Sequence, residues 1–222
     1  MVQKSAFFLK PAFLIKFTGL FANIVHIDRM SILKIAKMGH PVLHQVASPV
    51  LNHDDPELSI LIKDMVDTLK DSGGIGLAAP QVYVPKRIVI FFIPEERSTK
   101  WDKDIEVELT IMLNPEIQYV TSETNIDWEA CLSVPGLMGS VERYSHIKYS
   151  WTDLNGNRQE REAKDFHARA VQHECDHLDG KLYPMRMGDC KMFGFSDEVN
   201  ENIELMNKGR DLCVDGSHLE SK

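Results

Sequence analysis

The chain has 222 residues, with 33 acidic against 25 basic side chains and a formal charge of −8. That length suits one domain with a substantial core, and the negative charge disfavours broad contact with nucleic-acid phosphates or an anionic membrane. Cys131, Cys175, Cys190 and Cys213 form no C-x-x-C pair, and no run reaches the roughly 20 apolar residues of a membrane span, so a reducing compartment such as the cytoplasm is expected.

From Met1 to Ile27 there is no acid, and Phe7, Phe8, Phe13, Leu14, Phe17 and Phe21 are interleaved with Lys4, Lys10 and Lys16. Residues 1–30 therefore read as an extension: a basic amphipathic arm, an organellar targeting segment, or an upstream start ahead of Met30. The domain pattern begins near Ser31 and is expected to run over 31–195, followed by a C-terminal helix and tail over 196–222.

Ile32 to Ile35 is a short apolar segment that Gly39-His40-Pro41 breaks. Asp54-Asp55-Pro56 starts a helix, Leu58, Leu61, Ile62, Met65, Val66 and Leu69 follow at helical spacing, and Gly73-Gly74 ends it, giving a helix over 56–71. Gly74 to Gln81 then matches a G-x-G-x-x-G/A dinucleotide pattern, but a helix precedes it where that fingerprint needs a strand. It reads instead as a small-residue segment whose backbone lies against a ligand, with Gln81 presenting an amide, or as a close-packed turn.

Arg87 to Ile93 is a strand, Pro94 to Asp104 a charged loop, and Leu109 to Leu113 and Glu116 to Thr121 two strands about Asn114-Pro115. Val141 to Asp153 and Arg158 to Lys164 flank Asn155-Gly156, a strong hairpin signal. Asp165 is expected to cap a helix from Phe166 to about Leu178, which Gly180 ends. The chain is irregular from Tyr183 through Phe195, Ser196 starts a final helix ending at Gly209, and Cys213 to Lys222 is a frayed tail. The fold class is α+β: mostly antiparallel strands packed around a central helix that carries metal-binding histidines.

The chemistry centres on His173-Glu174-Cys175-Asp176-His177. Residues i and i+4 share a helix face, so His173 and His177 offer two imidazoles to one cation while Glu174 stays free to handle protons. A third ligand has three sources. The H-E-x-x-H-x-x-G-x-x-H continuation keeps Gly180 but has Tyr183 where the last His belongs. Glu198, Glu201 or Glu204 would complete a zinc endopeptidase, and Cys131 would complete a site with its fourth position open to water. Phe166 and Ala170, seven and three residues before His173, share its face and suit an apolar pocket. Cys175 points away and reads as core. Glu129 is an acceptor behind the metal or part of a structural ion pair, and Asp176 orients a neighbour or caps a loop.

Taken together, Gly74 to Gln81, Glu129 to Ser133 and Gln172 to Gly180 resemble the three signature segments of the peptide deformylase family, in their order and approximate spacing, over about residues 31–190. The resemblance implies that Cys131, His173 and His177 are the metal ligands, that Glu174 is the catalytic acid/base, and that the Gln81 amide and Leu132 N–H stabilise charge on a formyl oxygen. Ile75, Gly76, Phe166 and Ala170 would then contact substrate. It further implies N-formylmethionyl peptides as substrates, formate as product, and transient meetings with the nascent chain and the ribosome. A monomer is expected, with no nucleic-acid-binding motif and no membrane contact. Fe²⁺ is the metal the resemblance favours in the cell, while Cys-His-His donors also accept Zn²⁺, Ni²⁺ or Co²⁺. One departure is Ala130, where the family's E-G-C-L-S has glycine: alanine costs on the order of 1 kcal/mol if φ there is positive and almost nothing otherwise. A non-catalytic, metal-stabilised peptide-binding protein is a third reading beside deformylase and endopeptidase.

Overall fold

The computed structural model describes residues 31–95 and 107–214, with side chains through Lys208. The expectations for residues 1–30, for most of the charged loop and for the C-terminal tail lie outside these residues.

The first helix, α1 (Pro56–Ser72), begins where Asp55 accepts a hydrogen bond from the Glu57 N–H with Pro56 in the first turn, and stops at Gly73, whose φ of 68° is left-handed. Leu58, Ile62, Met65, Val66 and Leu69 make its buried stripe. Eight antiparallel strands follow among the described residues, in two groups. β1 (Gly76–Ala78), β2 (Ile88–Ile93), β3 (Val107–Tyr119), β6 (His146–Thr152) and β7 (Arg158–Lys164) form a five-stranded sheet in the order β1-β2-β3-β6-β7. β4 (Thr124–Cys131) and β5 (Val134–Tyr144) are joined by the short β8 (Phe193–Phe195) in a second, three-stranded sheet. Alternation is clearest in β6, where Ile147, Tyr149 and Trp151 point inward between half-buried neighbours.

α2 (Asp165–Leu178) packs against β1, β2 and β7 of the larger sheet and β5 of the smaller. Every residue from His167 to Leu178 is buried, although seven of the twelve side chains are polar or charged. A polar helix so placed needs a hydrogen-bond partner for each of those groups. α3 (Ser196–Val214) lies against β5 and β8, and Trp128 of β4 donates its indole N–H to Asn207. No helix among the described residues is long and apolar enough to cross a membrane.

Several sequence expectations change here. Asn114-Pro115 does not separate two strands: β3 runs through it with a bulge, Asn114 adopting φ 52° while its side chain exchanges two 2.8 Å hydrogen bonds with the Val50 backbone. Asn is among the few residues that tolerate this conformation, which local pattern reads as a break. Val141 to Asp153 is two strands, with a turn at Ser145. No strand is expected over β4 or the start of β5, where Pro135-Gly136 are turn formers by residue type, yet both sit inside β5. Asp165 does not cap α2. Lys164 occupies the capping position, and Asp165 is the first helical residue with φ 46°. The last helix runs past Gly209 to Val214.

Candidate metal centre

Two elements bring the donors together. In β4 the side chains alternate, so Glu129 and Cys131 both turn inward while Ala130 between them faces solvent. On α2, His173 and His177 stand one turn apart with ring centroids 5.2 Å from each other. Cys131, His173 and His177 thereby place one ligand atom each within 4.8 Å of one another, all three residues being buried. His177 turns Nε2 toward the Cys131 Sγ at 3.3 Å. His173 has its Nδ1 held by Glu129 Oε2 at 2.8 Å, which leaves Nε2 for the centre. Glu198, Glu201 and Glu204 are exposed on α3, outside this group.

The electrostatics favour a cation. Burial alone would raise the Cys131 thiol, but the charge of His177 and hydrogen bonds from both histidines hold it well below its ordinary value. The Ser133 N–H and the Gln81 Nε2 also donate to its sulfur, at 3.4 and 3.5 Å. Burial would lower His173, yet hydrogen bonds to Cys131 and Glu129 raise it well above an ordinary imidazole. Two buried anions thus face one another across the rings, and one soft thiolate with two imidazoles is a donor set that suits a divalent transition metal.

Glu174 lies one step round the helix. Burial pushes its carboxyl up to about 7. Its Oε1 edge rests on Gly76, where an added Cβ would come within 2.3 Å, and its Oε2 is buried with no hydrogen-bond partner among the described residues. An unpartnered buried carboxylate oxygen beside three converging donors fits a site that also receives a water or a substrate atom. Gln81 is fixed by accepting from the Ala78 N–H at 2.8 Å, so its amide nitrogen points to Cys131 and Ser133. Leu132, half-buried between them, packs with Leu69 and Leu77, and its Cδ1 would lie 3.0 Å from a Cβ on Gly74. Ile75, Phe166 and Ala170 join one apolar cluster with Ala78, Phe91 and Val171. All ten residues singled out from the sequence therefore lie on β1 and its flanks, the end of β4, or α2.

Glu129 resolves as both of its alternatives, because the carboxylate that orients His173 is also gripped by Arg143 through two 2.9 Å bonds and by Arg169 through one of 2.7 Å. Burial would raise it, but Arg143 and His173 hold it far below the usual carboxylate range. The Asp176 carboxylate orients its neighbours, pairing with Arg143 and Arg186, while at the helix end it is its backbone carbonyl, not its side chain, that accepts from Asp179 and Lys181. Cys175 is core, with burial pushing its thiol up. Ala130 is absent from the positive-φ residues, so the missing glycine brings no left-handed strain. Arg143 carries no signal of its role in the local pattern, Arg169 only its spacing from His173, and Tyr183 stands out there only as the replacement for a third histidine. Tyr183, standing where a third histidine would be, stacks on the His173 ring at 6.1 Å. Arg169 stands four residues before His173, on the same face.

The opposite side of α2 is unlike this. There Gln172, Cys175 and Asp176, with Arg143 and Arg186, line a polar cleft of about 640 Å³ that none of the three metal donors reaches.

The family model described as polypeptide deformylase matches residues 32–192. Peptide deformylase 1 of Bordetella pertussis is 51% identical over 163 residues, 73% of this chain and 92% of that protein. Peptide deformylase 2 of Pseudomonas putida is 46% identical over 173 residues, 77% and 96% of the two chains. Among solved structures, a class I type b peptide deformylase from Acinetobacter baumannii bound to Met-Ala-Ser superposes with a TM-score of 0.65 at 36% identity, covering 72% of this chain and all of that one. The Thermotoga maritima peptide deformylase superposes with a TM-score of 0.62 at 32% identity, covering 71% and 99%.

Proposed function

Because the chain belongs to the peptide deformylase family, we infer from its site how it performs that family's reaction. It is a metal-dependent enzyme that removes the N-formyl group from nascent peptides. The observation that carries the finer reading is the convergence of Cys131, His173 and His177 beside a buried Glu174 carboxylate with an unpartnered oxygen.

In this reading Cys131, His173 and His177 hold the ion. A divalent metal, when bound, supplies a Lewis acid to the formyl carbonyl and brings the pKa of water to about 7. Glu174 accepts a proton from the attacking water and returns it to the leaving nitrogen, so that one water and one formamide give formate and a free amine. Burial, which raises the Glu174 carboxyl, suits a group that must both take and give a proton. The Gln81 Nε2 and the Leu132 N–H donate to the formyl oxygen as negative charge grows there. Gly76, lacking a side chain, lets both Glu174 and a peptide backbone approach, while Ile75, Phe166 and Ala170 receive the methionine side chain.

The catalytic domain is assigned to residues 31–195, with α3 as an appendage. The resident ion in the cell is Fe²⁺, with Zn²⁺, Ni²⁺ or Co²⁺ able to replace it, and the enzyme works as a cytoplasmic monomer on chains emerging from the ribosome. Purified protein loaded with Fe²⁺ or Ni²⁺ is expected to release formate from formyl-Met-Ala-Ser. No formate from metal-replete protein would overturn the assignment, and cleavage of an unformylated peptide would favour the endopeptidase alternative. Metal analysis after anaerobic purification checks the ion.

A further inference from the structure

The metal donors come from two separate elements, Cys131 from β4 and the histidines from α2, and something must set the distance between them. We propose that Arg169 is the positioning residue that locks the histidine helix to the cysteine strand. The proposal rests on Cys131, His173 and His177 being the ligands.

The geometry distinguishes Arg169 from the other groups on Glu129. Arg143 also binds that carboxylate and reaches α2 at Asp176, beside His177, but it projects from β5, whose backbone is already hydrogen-bonded to β4 along its length, and it meets the helix at one side chain only. Arg169 projects from α2, one turn before His173, and reaches β4 across the gap between helix and sheet. Its NH1 donates to Glu129 Oε1 at 2.7 Å and to the Val141 carbonyl at 2.8 Å. Its NH2 donates to the Asn125 carbonyl at 2.9 Å and to Asn125 Oδ1 at 2.6 Å. One guanidinium thus holds β4 at Asn125 and Glu129, the latter two residues before Cys131, and holds β5 at Val141. The residue is 3% exposed, so water does not compete for these bonds. Glu129 in turn passes the constraint to His173 through Nδ1. Lysine cannot substitute, since a single ammonium offers three donors from one point where this fork spans acceptors on two strands.

The test compares wild type with R169K, each loaded with Co²⁺ or Ni²⁺. Groups that orient metal ligands typically change metal affinity or activity by about 10–100-fold, and loss of ion from R169K to a chelator should accelerate by that order. The thiolate-to-cobalt absorption should shift, and kcat should fall with KM unchanged, because the substrate pocket is untouched. Melting of both metal-free proteins separates metal retention from folding. Unchanged chelator kinetics and an unchanged cobalt spectrum in folded R169K would overturn the proposal. Should R169K fail to fold, N125A decides: it removes the 2.6 Å bond that aims the guanidinium and leaves Glu129, Arg143 and His173 in place, so several-fold faster metal loss supports the proposal and an unchanged rate sinks it. A wild-type protein that retains no metal would instead refute the ligand assignment itself.

Discussion

The two sides of α2 are built from the same kinds of residue and reach opposite states. On the back, Gln172 bonds the Tyr144 N–H and carbonyl and the Ala168 carbonyl, Asp176 is held by two arginines, and Cys175 is packed in apolar core. On the front, Glu174 Oε2 is buried with no hydrogen-bond partner among the described residues, and His173 has its Nδ1 held by Glu129 while its Nε2 is left for the centre. A buried polar atom left unpaired costs about 1–3 kcal/mol, and Glu174 carries that cost beside the metal donors. The contrast teaches that a polar group in a packed helix is structural where its valences are filled by the chain and functional where they are kept for something else.

Five experiments would sharpen or break that contrast. The largest effect is expected from C131A, H173A or H177A, each removing a donor: metal stoichiometry should drop to background, with no formate release above the uncatalysed rate. Retention of a full equivalent of metal by C131A would remove β4 from the site. E174Q comes next, with kcat lowered about 10²–10⁴-fold while metal content is unchanged. The same residue gives a pH test in metal-free protein. Glu174 rises from 4.5 to about 7 on folding, so the unfolded chain ionises first and stability falls as pH climbs through that window, by a total of about 3 kcal/mol. Metal-free E174Q should therefore melt higher than metal-free wild type at pH 8 and equally at pH 4, and equal melting at both would show that the carboxyl is not burdened by burial.

G76A should act on the same carboxylate from the other side. Its Cβ would stand 2.3 Å from Glu174 Oε1, and a displacement of about 1 Å at a reacting group lowers kcat roughly 10²-fold without ejecting the metal. The smallest effect belongs to the back of the helix: C175A should cost about 1 kcal/mol of stability and leave formate release and metal content as they were. A large activity loss there would mean that the two sides are coupled.

Much of this was legible before any coordinates. The spacing of His173 and His177 and the run Glu129 to Ser133 carried their own geometry, because helix and strand periods place side chains from sequence alone. The 56–71 helix and the Asn155-Gly156 hairpin were equally local, and each lies within a residue or so of its expected place. What failed was local punctuation. Asn114-Pro115 reads as a break, but its side chain completes bonds to a segment 64 residues earlier. Pro135 and Gly136 are turn formers by residue type, yet both lie in β5.

The sequence by itself determined which donors exist and which share a face, since periods of 3.6 and 2 residues are properties of the backbone. Only the tertiary structure decided what each polar group is for. The partners of Glu129 are 44 and 40 residues away at His173 and Arg169, and no periodicity records a pairing at that distance. The same packing that satisfied Gln172 and Asp176 left one oxygen of Glu174 without a partner, and that difference arises only once helix and sheets close on each other and exclude water.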